Sequence, residues 1–164
     1  MGRKIIIQKG DPILNKKSHK VTDFDARLHH LLDDMRETLL HAGGLGLAAV
    51  QVGILRCAVL VIDENEQMIE LINPEILSKQ GEQDGFEGCL SLSGLYGAVI
   101  RPMTVTVRAQ DRNGNVFTIT GEGMTARCFC HELEHLDGHL FDEHTDCLYT
   151  EKEIDKMSEK VKKK

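Results

Sequence analysis

A chain of 164 residues, 41% hydrophobic and 28% charged, is long enough to bury a core and too apolar to stay disordered. Its net charge of −6 leaves no general basic footprint, which excludes specific nucleic-acid binding, and no apolar run approaches membrane-spanning length. Five cysteines, an odd number, and no leader-like stretch before Asp11 point to a reducing, cytoplasmic setting where thiols are metal ligands, nucleophiles or core residues.

Taken from the start, Ile5, Ile6 and Ile7 read as a short strand that Gly10-Asp11-Pro12 breaks. Apolar residues at 24, 28, 31, 32, 35 and 39 then form a helical stripe, with Thr22 and Asp23 as caps and Gly43-Gly44 as the stop. His29, His30 and His41 fall on this helix and are expected at the surface. In the next stretch Gly44-x-Gly46-x-x-Ala49 superficially matches a dinucleotide fingerprint. That fingerprint follows a strand and opens a helix, whereas here a helix precedes and strand-like sequence follows, so the nucleotide reading fails. Gln51 is the one long polar side chain of the segment, and by itself fits a solvated loop or a functional position equally well.

Residues 57–63 are a dense apolar run suited to a central strand, with Cys57 as a core thiol. Residues 68–72 and 75–79 continue a sheet on either side of Asn73-Pro74. Residues 104–110 and 116–120 alternate around Asp111-Arg112-Asn113-Gly114, a hairpin signal. A helix runs from 124 to 137. Thr150 with Glu153 forms a capping box for a last helix, whose stripe is Ile154, Met157 and Val161 and whose segment 151–164 carries six Lys against four acidic residues. No repeat or linker divides residues 1–164, so they form a single domain. The pattern is α+β, with mixed or antiparallel sheets wrapped around the central helix and with an N-terminal and a C-terminal helix besides.

The chemistry concentrates in C-H-E-L-E-H-L-D-G, residues 130–138. His131 and His135 are four apart, so both imidazoles leave one face of a helix and can grip one metal ion. Glu132 sits about 100° around, where a carboxylate reaches a metal-activated water without ligating the metal. A third protein ligand decides the enzyme class. The metzincin pattern wants a His where Phe141 stands. A glutamate-type zinc endopeptidase would use Glu153 or Asp155. His139 and His144 lie beyond the helix-ending Gly138 and are expected at the surface. Cys89, in Glu87-Gly88-Cys89-Leu90-Ser91, remains open to three readings: soft metal ligand, buried inert thiol or lone nucleophile. Cys128 and Cys130 read as packing thiols.

Three segments taken together resemble the peptide deformylase family: Gly44-Leu45-Gly46-Leu47-Ala48-Ala49-Val50-Gln51, Glu87-Gly88-Cys89-Leu90-Ser91 and His131-Glu132-Leu133-Glu134-His135-Leu136-Asp137-Gly138. The likeness extends to Asn73-Pro74, Arg101-Pro102 and the hairpin, nearly the whole chain. It implies a cytoplasmic, bacterial-type hydrolase of N-terminal processing that removes the formyl group from formyl-methionyl nascent peptides. It implies one divalent ion, Fe(2+) by preference, with Zn(2+), Ni(2+) or Co(2+) in purified protein. By the same resemblance Cys89, His131 and His135 hold the metal and Glu132 is the general base, acting on a metal-bound hydroxide. The Gln51 amide and the Leu90 backbone N–H stabilise the oxyanion, and Gly44, Leu45 and Gly46 bind the peptide. Glu87, Arg101 and Glu134 stand behind the ligands.

Two departures carry expectations. The family usually has Asp where Glu134 stands, one methylene shorter. Many members have an apolar residue and Pro after Cys-Leu-Ser, so Leu92-Ser93-Gly94 is expected to leave that loop freer. A catalytically weak or inactive relative that binds metal or peptide is the remaining alternative. The lysines of 160–164 are expected to be a solvated helix tail, or else a transient ribosome contact.

Overall fold

The computed structural model describes residues 2–162. Helix α1 spans Ala26–Ala42. Its cap is Asp25, whose side chain accepts the Leu28 N–H, rather than Thr22 or Asp23; Asp25 is the residue held extended immediately before the first helical position. Gly43 ends the helix in the left-handed conformation at φ 75° and returns its N–H to the Leu39 carbonyl.

Five antiparallel strands follow in the order β1-β2-β3-β6-β7: β1 Gly46–Ala48, β2 Ala58–Ile62, β3 Met68–Gln80, β6 Thr104–Gln110 and β7 Val116–Glu122. β4 (Gln83–Cys89) and β5 (Leu92–Arg101) pair separately as an antiparallel hairpin. The sheets are therefore antiparallel in every pairing rather than mixed. β3 is one strand across Asn73-Pro74, because the register shifts there between Ile72 and Glu75 and Asn73 takes φ 51°. The Asn73 side chain fills the gap, bonding both backbone groups of Val21 and the Gln110 amide oxygen.

β2 reads as a continuous apolar run because both its faces are covered. Ala58 and Leu60 pack with Leu28, Leu32, Met35 and Leu39 of α1. Val59 and Val61 face the other way and share a core with Ala126, Phe129 and Leu136. Those three belong to helix α2, Met124–Leu136, which the sheet and β5 surround. Gly121 lets α2 come close: a Cβ there would stand 2.7 Å from the Phe129 ring.

Ile5, Ile6 and Ile7 do not form a strand. The Ile7 N–H bonds the Gln51 carbonyl and the Lys9 N–H bonds the Ser91 carbonyl, so the segment ties to two elements in turn and joins no sheet edge. Helix α3, Glu151–Lys162, starts at the Thr150/Glu153 box, with each residue's backbone N–H bonded to the other's side chain. Ile154 and Met157 are half-buried and Val161 is exposed. Lys163 and Lys164 lie outside the described residues. Among the described residues no helix is long and apolar enough to cross a membrane.

Candidate metal centre

The helical period places His131 and His135 on the face of α2 that looks toward the β4–β5 hairpin, and both are buried. β4 delivers Cys89 to the same point. The register slips between Gly88 and Cys89, and Gly88 passes directly beneath Tyr96, whose ring a Cβ would meet at 2.6 Å. Cys89 Sγ then lies 3.4 Å from His135 Nε2, and the donor atoms of Cys89, His131 and His135 all fall within 4.8 Å of one another. Donors about 2.0–2.3 Å from a tetrahedral ion stand roughly 3.5 Å apart. One soft sulfur and two imidazoles at this spacing fit a single transition-metal ion.

The imidazoles are shifted in opposite directions. Burial disfavours charge on His131, but its contacts with Cys89 and Glu87 prevail and hold its pKa well above the ordinary range. Burial and then the neighbouring His131 drive His135 well below it. Two rings with centroids 5.0 Å apart resist carrying two protons, and a cation between them would replace the one they keep.

Behind the cluster is a buried ionic lattice. Glu87 accepts the His131 Nδ1–H at 2.8 Å, which turns Nε2 toward Cys89 and His135. Arg101 grips Glu87 with Nε at 2.7 Å and Nη2 at 2.9 Å, and its Nη1 bonds Glu134. Arg127 adds a bond to Glu87 at 2.8 Å and another to the Val99 carbonyl. Burial alone would raise the Glu87 carboxyl, but Arg101 and His131 hold it down to about 2. The extra methylene of Glu134 is accommodated: one oxygen meets Arg101 and the other accepts the His144 Nε2–H at 2.7 Å.

Glu132 is 4% exposed, with Oε1 3.9 Å from His131 Nε2, and its Oε2 has no hydrogen-bond partner among the described residues. Burial pushes its carboxyl up to about 7, partly opposed by His131. Gln51 is not a solvated loop residue. At 1% exposure it accepts the Ala48 N–H with Oε1, while Nε2 donates to Ser91 Oγ at 3.0 Å and approaches Cys89 Sγ at 3.6 Å. Gly44, Leu45, Gly46, Leu90, His131 and Glu132 line one cavity of about 470 Å³. The segment after Cys89 is not free: Ser93 lies at the start of β5, and its N–H and hydroxyl both bond Gln8 Oε1.

Glu153 caps α3 at the surface, and neither it nor Asp155 joins the Cys89 cluster. His139 is exposed as expected; His144 is half-exposed yet bonded to Glu134. No motif marks Arg127 or His144. Arg127 had one available signal, since it lies four residues before His131 on a buried helix face, where a charge must find a partner.

The chain is similar in sequence and in fold to known proteins. The chain is 51% identical over 141 residues to a peptide deformylase of Caldanaerobacter subterraneus subsp. tengcongensis, covering 86% of this chain and 88% of that one. Its fold superposes on the crystal structure of peptide deformylase from Thermus thermophilus with TM-score 0.83, at 39% identity, covering 86% and 84% of the two chains. The peptide deformylase from Thermotoga maritima gives TM-score 0.83 at 36% identity, covering 87% and 97%. The sequence profile described as polypeptide deformylase matches residues 3–151, and with it the fold and the cluster at Cys89 agree that the chain belongs to the polypeptide deformylase family.

Proposed function

We propose that the chain hydrolyses the N-formyl group of formyl-methionyl nascent peptides, with Cys89, His131 and His135 holding one divalent metal ion and Glu132 as general base. The carrying observation is that the donor atoms of these three residues lie within 4.8 Å of one another while Cys89, His131 and the buried Glu132 carboxylate line one cavity. The soft sulfur and two imidazoles suit Fe(2+), the ion implied by the family resemblance, and also Zn(2+), Ni(2+) or Co(2+). When bound, such an ion supplies Lewis-acid activation of water and of the formyl oxygen.

The protein's own groups do the rest. Glu132, poised at about 7, takes a proton from the attacking water and later delivers it to the departing amine. The C–N bond breaks, leaving formate and a free N-terminus. Charge collecting on the formyl oxygen is met by Gln51 Nε2, already aimed at the cluster, and by the Leu90 N–H. The backbone of Gly44, Leu45 and Gly46 runs along the cavity and pairs with an extended peptide, whose Met side chain fills the apolar end.

Purification without oxygen, metal analysis and formate release from formyl-Met-Ala test this directly. One equivalent of metal and turnover are expected, and both should vanish in Cys89→Ser. Turnover that survives that substitution would overturn the ligand assignment, and a metal-loaded protein without turnover would favour a relative that only binds.

The wider reading is that residues 1–164 act as one cytoplasmic unit. The exposed lysines Lys152, Lys156 and Lys160 of α3 support transient ribosome contact. Ribosome co-sedimentation at low salt should fall when 151–164 are removed, and unchanged co-sedimentation would count against the contact.

A further inference from the structure

The turn Phe141–His144 lies beyond α2 and carries no motif, yet it reaches His131 by two routes. On one side Phe141, 1% exposed, stacks on the His131 ring with centroids 5.8 Å apart and planes 28° off parallel. On the other, His144 starts an unbroken polar chain. Its Nε2–H donates to Glu134 Oε2 at 2.7 Å, and Glu134 Oε1 accepts from Arg101 Nη1. Arg101 holds Glu87 through Nε and Nη2, and Glu87 accepts the His131 Nδ1–H at 2.8 Å.

We propose that His144 is a positioning residue for the metal centre, fixing the Glu134 carboxylate so that Arg101 and Glu87 hold His131 in its ligating orientation. The reading rests on His131 being a metal ligand. Glu134 is the weak joint of the chain. Its side chain is 25% exposed, against 4% for Arg101 and for Glu87, and it lines a second cavity of about 560 Å³ behind α2, together with Arg101 and His144. A carboxylate held by one oxygen can rotate into that space. Held by both, it cannot. The longer Glu side chain places its outer oxygen where His144 meets it, so the exposed end of the lattice is closed by a residue from a separate element.

Outer partners of metal-bound histidines contribute about 10-fold to 100-fold in metal affinity. The test therefore reads the metal, not only turnover. Protein loaded with Co(2+) is mixed with excess chelator, release is timed, and the visible absorption of the cobalt–thiolate site is recorded. His144→Ala is expected to release cobalt about 10-fold faster and to shift the absorption bands. His144→Gln, whose amide can still donate to Glu134, is expected to restore release to within about threefold of the parent, by the same scale. In a Glu134→Ala background His144→Ala should add nothing further.

Equal release and spectra for the parent and His144→Ala overturn the proposal, as does an additive effect in the Glu134→Ala background. A lowered melting temperature with unaltered release and spectrum also overturns it, because it assigns His144 to packing alone. Failure of the parent protein to retain one equivalent of cobalt overturns the ligand reading and this one together.

Discussion

Gly46 and Glu132 are in such close contact that a Cβ on residue 46 would stand 2.6 Å from Glu132 Oε1 and 2.8 Å from its Cγ and Cδ. Glu132 is the flexible partner, so in Gly46→Ala the carboxylate moves while strand β1 stays. A misplacement of about 1 Å near the reacting atoms costs roughly a hundredfold. We expect kcat/KM for formyl-Met-Ala to fall by about that factor, with melting temperature and bound metal little changed. Parent-level turnover in the variant would show that the carboxylate does not act from its observed place.

Gln51 serves structure with one amide atom, and the proposed mechanism gives the other a role in the chemistry. Oε1 accepts the buried Ala48 N–H, and Nε2 points to Ser91 and Cys89. Gln51→Glu keeps the acceptor and removes the donor, so it should keep most of the stability. Loss of an oxyanion donor costs about 3 kcal/mol, so kcat should drop a hundredfold or more with KM nearly constant. Gln51→Ala should lose rate equally and, by leaving the Ala48 N–H unpaired, lose about 1–3 kcal/mol in denaturant unfolding as well. A Gln51→Glu enzyme with normal kcat would remove Gln51 from the mechanism.

How far the sequence carried these features depends on whether a feature is periodic or assembled. The stripe of α1 and the His131–His135 pair are periodic, and both stand as read, because one helix alone dictates them. The Ile5–Ile7 run is apolar without period, and its bonds go to Gln51 and Ser91 on distant segments, which local pattern cannot convey. Asn73-Pro74 reads as a break yet lies within one strand, since a side chain bonding Val21 and Gln110 makes the bulge worthwhile. Glu87 and Arg101 were legible through family resemblance, whereas Arg127 and His144 join the same lattice only once α2, β4 and β5 have packed.

Gln8 takes over the stiffening that a proline would give after Cys-Leu-Ser. Its Nε2 donates to the Leu90 carbonyl at 2.9 Å while its Oε1 accepts from the Ser93 N–H and hydroxyl. Gln8 thus bridges the turn that carries Leu90. If removal of these bonds costs the placement of Leu90 about 1 kcal/mol, the net value of one such bond, Gln8→Ala should lower kcat/KM by roughly fivefold. The distinguishing measurement is amide hydrogen exchange, which should quicken at residues 91–94 and stay constant in α2. Unchanged exchange at Ser93 would mean that the turn holds its shape unaided.

Thiol chemistry gives a last check that needs neither metal nor substrate. Cys128 is 9% exposed, and burial, with Glu132 and Glu87 adding to it, pushes its thiol up to about 12. Burial likewise raises Cys130 above the usual thiol range. A raised thiol pKa favours the neutral form, and only the thiolate attacks an alkylating reagent. At pH 8 a group titrating near 12 is about one part in ten thousand thiolate, so Cys128 should react with iodoacetamide only after unfolding. Cys147, by contrast, is exposed and should label in the native protein. Peptide mass mapping after a short native pulse is expected to find the label on Cys147 and not on Cys128 or Cys130, and after a pulse in guanidinium on all three. Native labelling of Cys128 at the rate of Cys147 would show that the α2 face beside Glu132 is far more accessible than its burial implies, and it is that burial which raises the Glu132 carboxyl.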